Sequence, residues 1–180
     1  MRSALIATLL LVASFSAAAA LPEPITARLA ALEAELNSNG YSGFFTVAQD
    51  GELGYFGAAV AAAAGRAYTP DTQFDIGSIV KTITGLAASR QIAEGKLASD
   101  APLSDFFDML PADKRDITLH QMLTHGAGLT VAIGSDKENL SRVDFVRRAL
   151  KARLRFKPGT SYEYSNVGFG LVALIIEKVT

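Results

Sequence analysis

The chain has 180 residues, with 17 basic and 18 acidic side chains and a formal net charge of −1. This length is enough for one domain with a hydrophobic core, and the near-neutral charge argues against nucleic acid or an anionic membrane as a partner. Cysteine is absent, which excludes disulfides and thiolate metal sites. Two histidines, His120 and His125, are too few for a histidine-rich metal site, so we expect no metal and no cofactor.

The first 20 residues are typical of a secretory signal peptide. Arg2 precedes an apolar run over residues 4–13, followed by small residues up to position 20 and a break at Pro22 and Pro24. A membrane anchor is the alternative, because the apolar stretch approaches the ~20 residues that span a bilayer. The alanine-rich end favours cleavage, so we expect a secreted or periplasmic protein with a mature domain over residues 21–180 and no stable membrane span.

Hydrophobic spacing and turn residues predict the next elements in chain order. A helix is predicted over residues 25–36. Two strands, over 41–48 and 52–57, are joined by the hairpin turn Asp50-Gly51. A long helix is predicted from Ser78 to about residue 94, where Gly95 ends it. Together they indicate an α+β domain with an antiparallel sheet flanked by helices.

The second half of the chain reads as helical. A short helix is predicted over residues 117–123, a second starts at Ser141, and a third starts near Asn166. The last helix is apolar almost all round, which predicts burial on several sides. Since only Thr180 follows it, we expect this helix to lie partly bare.

A serine and a lysine at the start of the long helix are candidates for nucleophilic catalysis. Ser78 and Lys81 are three residues apart and share one helix face. A serine hydroxyl needs a neighbouring base to become nucleophilic, and a partly desolvated lysine can serve as one. The alternative is that Ser78 caps the helix and Lys81 is a solvated surface lysine.

A tyrosine and an asparagine in "SYEYSN" form the second candidate element. In an extended segment Tyr164 and Asn166 point the same way. A tyrosine held near a lysine can shuttle a proton, and an asparagine amide can orient a lysine and a substrate carbonyl. The alternative is a half-buried aromatic residue followed by a helix cap at Asn166.

Together these segments resemble a known family. Ser-x-x-Lys is a motif of β-lactamases and penicillin-binding proteins, and the Tyr-x-Asn partner resembles class C β-lactamases, D-alanyl-D-alanine carboxypeptidases and related esterases. "TPDTQFDIGSIVKTITG", "EGKLASDAPLSDFF", "ITLHQMLTHGAGL" and "RFKPGTSYEYSNVGFGLVALIIEKVT" are each similar to family segments, in the same order. The resemblance implies a β-lactamase/transpeptidase-like fold over residues 21–180.

The resemblance also implies roles for four residues. Ser78 is expected to attack a carbonyl and become acylated, Lys81 and Tyr164 to share general acid–base duty, and Asn166 to hold the lysine and the substrate. The expected substrate is a small molecule or peptide with an amide, β-lactam or ester carbonyl. A basic cluster over residues 147–157 is interpreted as a solvated helix face rather than a nucleic-acid site.

The family's third motif, Lys-Thr-Gly or His-x-Gly, is not found after Tyr164. We therefore expect the C-terminal strands and closing helix to be missing and the chain to be the N-terminal portion of a longer hydrolase. Three function classes stay open. The chain is a secreted serine hydrolase, a penicillin-binding sensor or inactive homologue that acylates without turnover, or a structural fragment without chemistry.

Overall fold

The structure is a computed structural model, and it describes residues 21–59, 67–135 and 138–180. The predicted signal peptide over residues 1–20 lies outside the described residues. Within the described residues no helix is both long and apolar enough to cross a membrane. The described residues divide into two compact units, one up to residue 74 and one from residue 75 to residue 180.

The first unit contains one helix and one hairpin. Helix α1 spans Glu23–Ser38, and strands β1 (Gly43–Gln49) and β2 (Glu52–Ala59) pair antiparallel in a two-stranded sheet. The predicted turn is confirmed, because Asp50 and Gly51 both adopt positive φ, 53° and 84°, as a two-residue hairpin loop requires. The Tyr55 hydroxyl on β2 donates a 2.8 Å hydrogen bond to Glu33 of α1, which attaches the helix to the hairpin.

The second unit is helical. A short 3-10 helix, Gly77–Ile79, leads into α2 (Val80–Ala93), and α3 (Leu119–Leu123), α4 (Arg142–Lys151) and α5 (Asn166–Val179) follow. Thr118 and Gln121 form a capping box at the start of α3, and the Ser141 side chain caps α4 by accepting from the Asp144 N–H. The cap at Thr118 explains why α3 starts two residues later than predicted, and the cap at Ser141 agrees with the predicted start of α4.

Helix α5 is the central element of this unit. Its residues Val167, Leu171, Val172 and Ile175 are at most 1% exposed and pack against α2, α3 and α4. Gly168 allows α3 to approach, since a Cβ there would lie 3.3 Å from the Met122 carbonyl oxygen. The predicted burial on several sides is therefore confirmed, while the rest of the helix is partly bare, with Ala173 exposed and Leu174 and Ile176 half-buried.

Large exposed apolar side chains lie on α2 and on the 3-10 helix before it. Hydrophobic spacing predicts an apolar side of the long helix made of Ile79, Ile83, Leu86, Ala87 and Ile92. Ile79, Ile83 and Leu86 are 66%, 57% and 67% exposed, whereas Ala87 and Ile92 are half-buried and Ile92 packs against the core. The buried face also carries Ala88 and Gln91, so the predicted apolar side coincides only in part with the side packed inside this unit.

A glycine loop after α3 is paired with the segment that precedes α5. The Arg155 N–H donates to the Gly128 carbonyl and the Gly159 N–H to the Gly126 carbonyl, both at 2.8 Å. Gly128 has φ +70°, and a Cβ on it would lie 2.3 Å from the Phe156 carbonyl oxygen. Only glycine fits this close approach of two backbones.

We predict that Gly128→Ala destabilises the second unit strongly. The matched control is Gly95→Ala, which has a similar φ of +72° but no atom within 4 Å of the added Cβ. The left-handed conformation alone costs ~1–3 kcal/mol, so Gly95→Ala is expected in that range and Gly128→Ala beyond it. Urea unfolding of both variants measures the difference, and equal losses would contradict the packing argument.

Candidate active site

Ser78 lies at the entrance to α2. Gly77 precedes it with φ +50°, and the Gly77 N–H donates a 2.8 Å hydrogen bond to the Asp75 carboxylate. This local turn starts the 3-10 helix and presents the Ser78 side chain to solvent. The cap positions of the 3-10 helix and of α2 are Ile76 and Ile79, neither with a side-chain cap bond, so Ser78 is not acting as a helix cap.

Three of the four predicted site residues meet at this point. The Ser78 Oγ and the Tyr164 hydroxyl are 2.6 Å apart, although 86 positions separate the two residues in sequence. The Lys81 Nζ donates to the Ser78 Oγ at 3.3 Å and lies 5.0 Å from the centre of the Tyr164 ring. The structure therefore brings a hydroxyl, an amine and a phenol into one cluster.

The segment that carries Tyr164 is fixed on both sides by the loop after α3. The buried Ser165 hydroxyl donates to the Thr130 carbonyl at 2.8 Å and accepts from the Gly168 N–H at 3.0 Å, which caps α5. The Glu163 N–H donates to the His125 carbonyl at 3.1 Å. Tyr164 thus stands between two anchored residues.

Asn166 is placed differently from its predicted partners. It is the first residue of α5 and is exposed, and its backbone N–H donates to the Val131 carbonyl at 2.9 Å. Within residues 75–135 and 138–180, no hydrogen bond joins the Asn166 side chain to Ser78, Lys81 or Tyr164. The helix cap here is Ser165 rather than Asn166, the residue that the sequence offered as a cap, and the role of Asn166 stays a prediction.

Sequence reasoning did not assign two aromatic residues that line the cluster. Phe169 of α5 lies 5.8 Å from the Lys81 Nζ, measured to its ring centre, and the His125 ring packs against Tyr164 and Phe169 at 4.6 and 5.1 Å. Phe169 lies five positions after Tyr164, and α5 starts between them. Because the two residues belong to different secondary structures, hydrophobic periodicity could not predict that they lie close together. His125 lies in the loop after α3, and its hydrogen bonds join this loop to the segment before α5.

The charges of the cluster favour the phenolate form of Tyr164. Hydrogen bonding to the Lys81 ammonium, and after it the hydrogen bond with Ser78, lowers the pKa of the Tyr164 phenol below its ordinary value. Burial, and then the positive charge of Lys81, lowers the pKa of His125. A phenol that ionises more readily is better suited to accept a proton from Ser78 near neutral pH.

No cluster of metal-ligating side chains occurs within the part of the chain that the structure describes. A cavity of about 730 Å³ in the second unit is lined by Ala112, Asp113, Asp116, Ile117, Gln121 and residues 153–158, and by none of the four predicted site residues. The Ser78 cluster therefore lies outside this cavity, at an exposed surface of the unit.

Comparison with known proteins identifies the family. A sequence profile of the family described as Beta-lactamase matches residues 29–180. The chain belongs to the β-lactamase family. Esterase EstB from Burkholderia gladioli is 31% identical over 137 residues, which are 65% of this chain and 35% of EstB.

Comparison with solved structures agrees with this fold. The crystal structure of SurE matches with a TM-score of 0.70 at 27% identity, covering 86% of this chain and 35% of SurE. The octameric penicillin-binding protein homologue from Pyrococcus abyssi matches with a TM-score of 0.69 at 26% identity, covering 86% of this chain and 39% of that one. The predicted β-lactamase/transpeptidase-like fold is confirmed. The chain spans about a third of the length of these relatives.

We predict that Lys81→Met raises the pKa of Tyr164 toward the ordinary tyrosine value of about 10. The reason is that the ammonium, which favours the phenolate, is lost. The matched control is Lys96→Met, which removes the same charge from an exposed lysine paired with Glu94. NMR titration of ¹³Cζ-labelled tyrosine, with Tyr164→Phe for assignment, measures the change. A Tyr164 pKa that is unchanged in Lys81→Met would contradict the electrostatic argument.

Proposed function

We propose that this chain carries the nucleophile half of a serine hydrolase that acts on an ester, amide or β-lactam carbonyl through an acyl-enzyme on Ser78. The observation that carries the proposal is the 2.6 Å contact between the Ser78 Oγ and the Tyr164 hydroxyl, with the Lys81 Nζ 3.3 Å from the same Oγ. A hydroxyl in contact with a phenol of lowered pKa has the base that nucleophilic serine needs.

The acylation step follows from this geometry. The Ser78 Oγ attacks the substrate carbonyl carbon while its proton passes to the Tyr164 phenolate, which the Lys81 ammonium stabilises. The tetrahedral intermediate collapses, and the leaving group departs with the proton that Tyr164 returns. The Ser78 N–H, at the start of the helix, is the proposed donor to the oxyanion.

Deacylation uses the same groups in reverse. A water molecule gives its proton to Tyr164 and attacks the acyl carbonyl, and the Ser78 Oγ takes the proton back as the acid is released. General acid–base help of this kind contributes about 10²–10⁴-fold. The proposed role of Asn166 is to bind the substrate, because its exposed side chain lies two residues from Tyr164 at the start of α5.

Two relatives support different outcomes for the acyl-enzyme. The similarity to an esterase, at 31% identity, favours turnover and an ester substrate. The similarity to a penicillin-binding protein homologue, at 26% identity, favours the second candidate function, a sensor or inactive homologue that acylates and keeps its adduct. Because both share the acylation step, Ser78 is the nucleophile in either case.

We also propose that the protein is secreted or periplasmic, on the basis of the signal-like residues 1–20. When the chain is expressed in a bacterial host, N-terminal sequencing of the exported product is expected to begin after Ala18 or Ala20. A variant with Leu9→Arg and Leu10→Arg is the control, because charges in the apolar run block export. A product that keeps residues 1–20 in both cases would contradict the proposal.

We predict that a fluorophosphonate probe labels Ser78. Ser78→Ala is expected to abolish labelling, and Tyr164→Phe to slow it about 10²–10⁴-fold because the proton acceptor is lost. The matched control is Ser89→Ala, at an exposed serine of α2, which is expected to label like the parent chain. Mass spectrometry of the adduct and its rate of formation measure both effects.

Fluorescent penicillin and a p-nitrophenyl ester then separate the candidate functions. Release of p-nitrophenol over many turnovers supports the hydrolase, and a stable penicillin adduct without turnover supports the sensor. Labelling that persists in Ser78→Ala would overturn the assignment of Ser78 as the nucleophile. No labelling at all would overturn the acyl-enzyme proposal and leave the structural fragment.

A further inference from the structure

His125 holds the backbone on both sides of Tyr164. Its carbonyl oxygen accepts a hydrogen bond from the Glu163 N–H at 3.1 Å. Its imidazole Nδ1 accepts one from the Ser165 N–H, also at 3.1 Å. One residue therefore fixes the two peptide groups that flank the phenol.

The His125 ring also restricts the Tyr164 side chain itself. The two ring centres are 4.6 Å apart with an angle of 33° between the planes. Phe169 closes the group, with its ring centre 5.1 Å from that of His125. These contacts limit the rotation of Tyr164 and hold its hydroxyl toward Ser78, where the 2.6 Å contact is made.

The backbone of His125 makes the double contact possible. Its φ is +59°, in the left-handed region, where histidine and asparagine are enriched among residues other than glycine. The chain turns sharply there after α3, so the carbonyl and the side chain of the same residue both reach the 163–165 segment. A strained position of this kind persists only where the surroundings hold it.

We propose that His125 is the positioning residue for Tyr164, setting the distance between the phenol and Ser78. This inference rests on the proposed function, in which Tyr164 exchanges a proton with Ser78. A misplacement of about 1 Å in such a pair can cost on the order of 10²-fold in rate.

The hydrogen bond to Ser165 requires a neutral imidazole. Nδ1 can accept an N–H only while it carries no proton, so the proton of the neutral ring is on Nε2. Protonation would place a hydrogen on Nδ1, so two donors would face each other, the Nδ1–H and the Ser165 N–H. The hydrogen bond would be lost and the 163–165 segment released. The titratable or charged groups that face His125 are Lys81 of α2 and Tyr162 and Tyr164 of the extended segment, and Lys81 opposes a second positive charge.

Two substitutions separate the acceptor from the rest of the residue. His125→Asn places a carbonyl oxygen near the Nδ1 position, tolerates positive φ and does not titrate. His125→Ala removes the acceptor and the ring. The control is His120→Ala, at the exposed histidine of α3.

We predict that His125→Ala slows fluorophosphonate labelling of Ser78 ~10–100-fold, with the loss in the limiting rate rather than in the half-saturating probe concentration. His125→Asn is expected to recover most of this rate and to lose the part of the acid-side fall in labelling that we expect from protonation of His125 in the parent chain. His120→Ala is expected to match the parent chain. Parent-like rates and pH dependence in His125→Ala would overturn the inference, as would equal slowing in the two His125 variants.

A second measurement is independent of acylation. The ¹³Cζ titration of Tyr164 reports the contact with Lys81 and Ser78, so the pKa of Tyr164 is expected to rise in His125→Ala and to stay near the parent value in His125→Asn. If Ser78 is never labelled but this pattern appears, the proposed function fails and the positioning role stands. If Ser78 is labelled but the pattern is absent, the positioning role fails alone.

Discussion

The buried hydroxyl of Ser165 is the contact on which the geometry of the second unit depends. It donates to the Thr130 carbonyl and accepts from the Gly168 N–H, so one side chain joins the loop after α3 to the first turn of α5. Because Ser165 is only 2% exposed, solvent cannot replace either partner. Leaving a buried polar group unpaired costs ~1–3 kcal/mol. The backbone next to Tyr164 is therefore positioned by the buried hydrogen bonds of Ser165.

This arrangement links a surface site to a packed interior. Ser78 stands at one end of α2 and Tyr164 precedes α5, and these two helices pack against each other. The buried residues Ala88 of α2 and Leu171 of α5 belong to the same core. Because that packing fixes the separation of the two helix starts, the core determines the distance between the hydroxyl and the phenol.

Much of the fold and most of the site could be predicted from particular residues. The hairpin at Asp50-Gly51 and the start of α4 at Ser141 follow from local chemistry that the structure repeats. The resemblance selected Ser78, Lys81 and Tyr164, and the structure brings them together. The partners of α5 could not be predicted, because hydrophobic spacing shows that a helix has an apolar face but not which elements pack against it. The same limit applies to the long helix at Ser78, where spacing could not show that Ile79, Ile83 and Leu86 are exposed rather than packed.

Asn166 illustrates how secondary structure changes the meaning of a spacing. Tyr164 and Asn166 would point the same way in an extended segment, but Ser165 caps α5 and Asn166 is its first helical residue. The extended backbone, in which alternate side chains share a face, therefore ends between Tyr164 and Asn166. Tyr164 is directed to Ser78, and Asn166 stays exposed beside it. In the proposed acylation step the phenol is therefore the group in contact with the Ser78 Oγ, and the proposed role of the exposed Asn166 amide is to bind another part of the substrate.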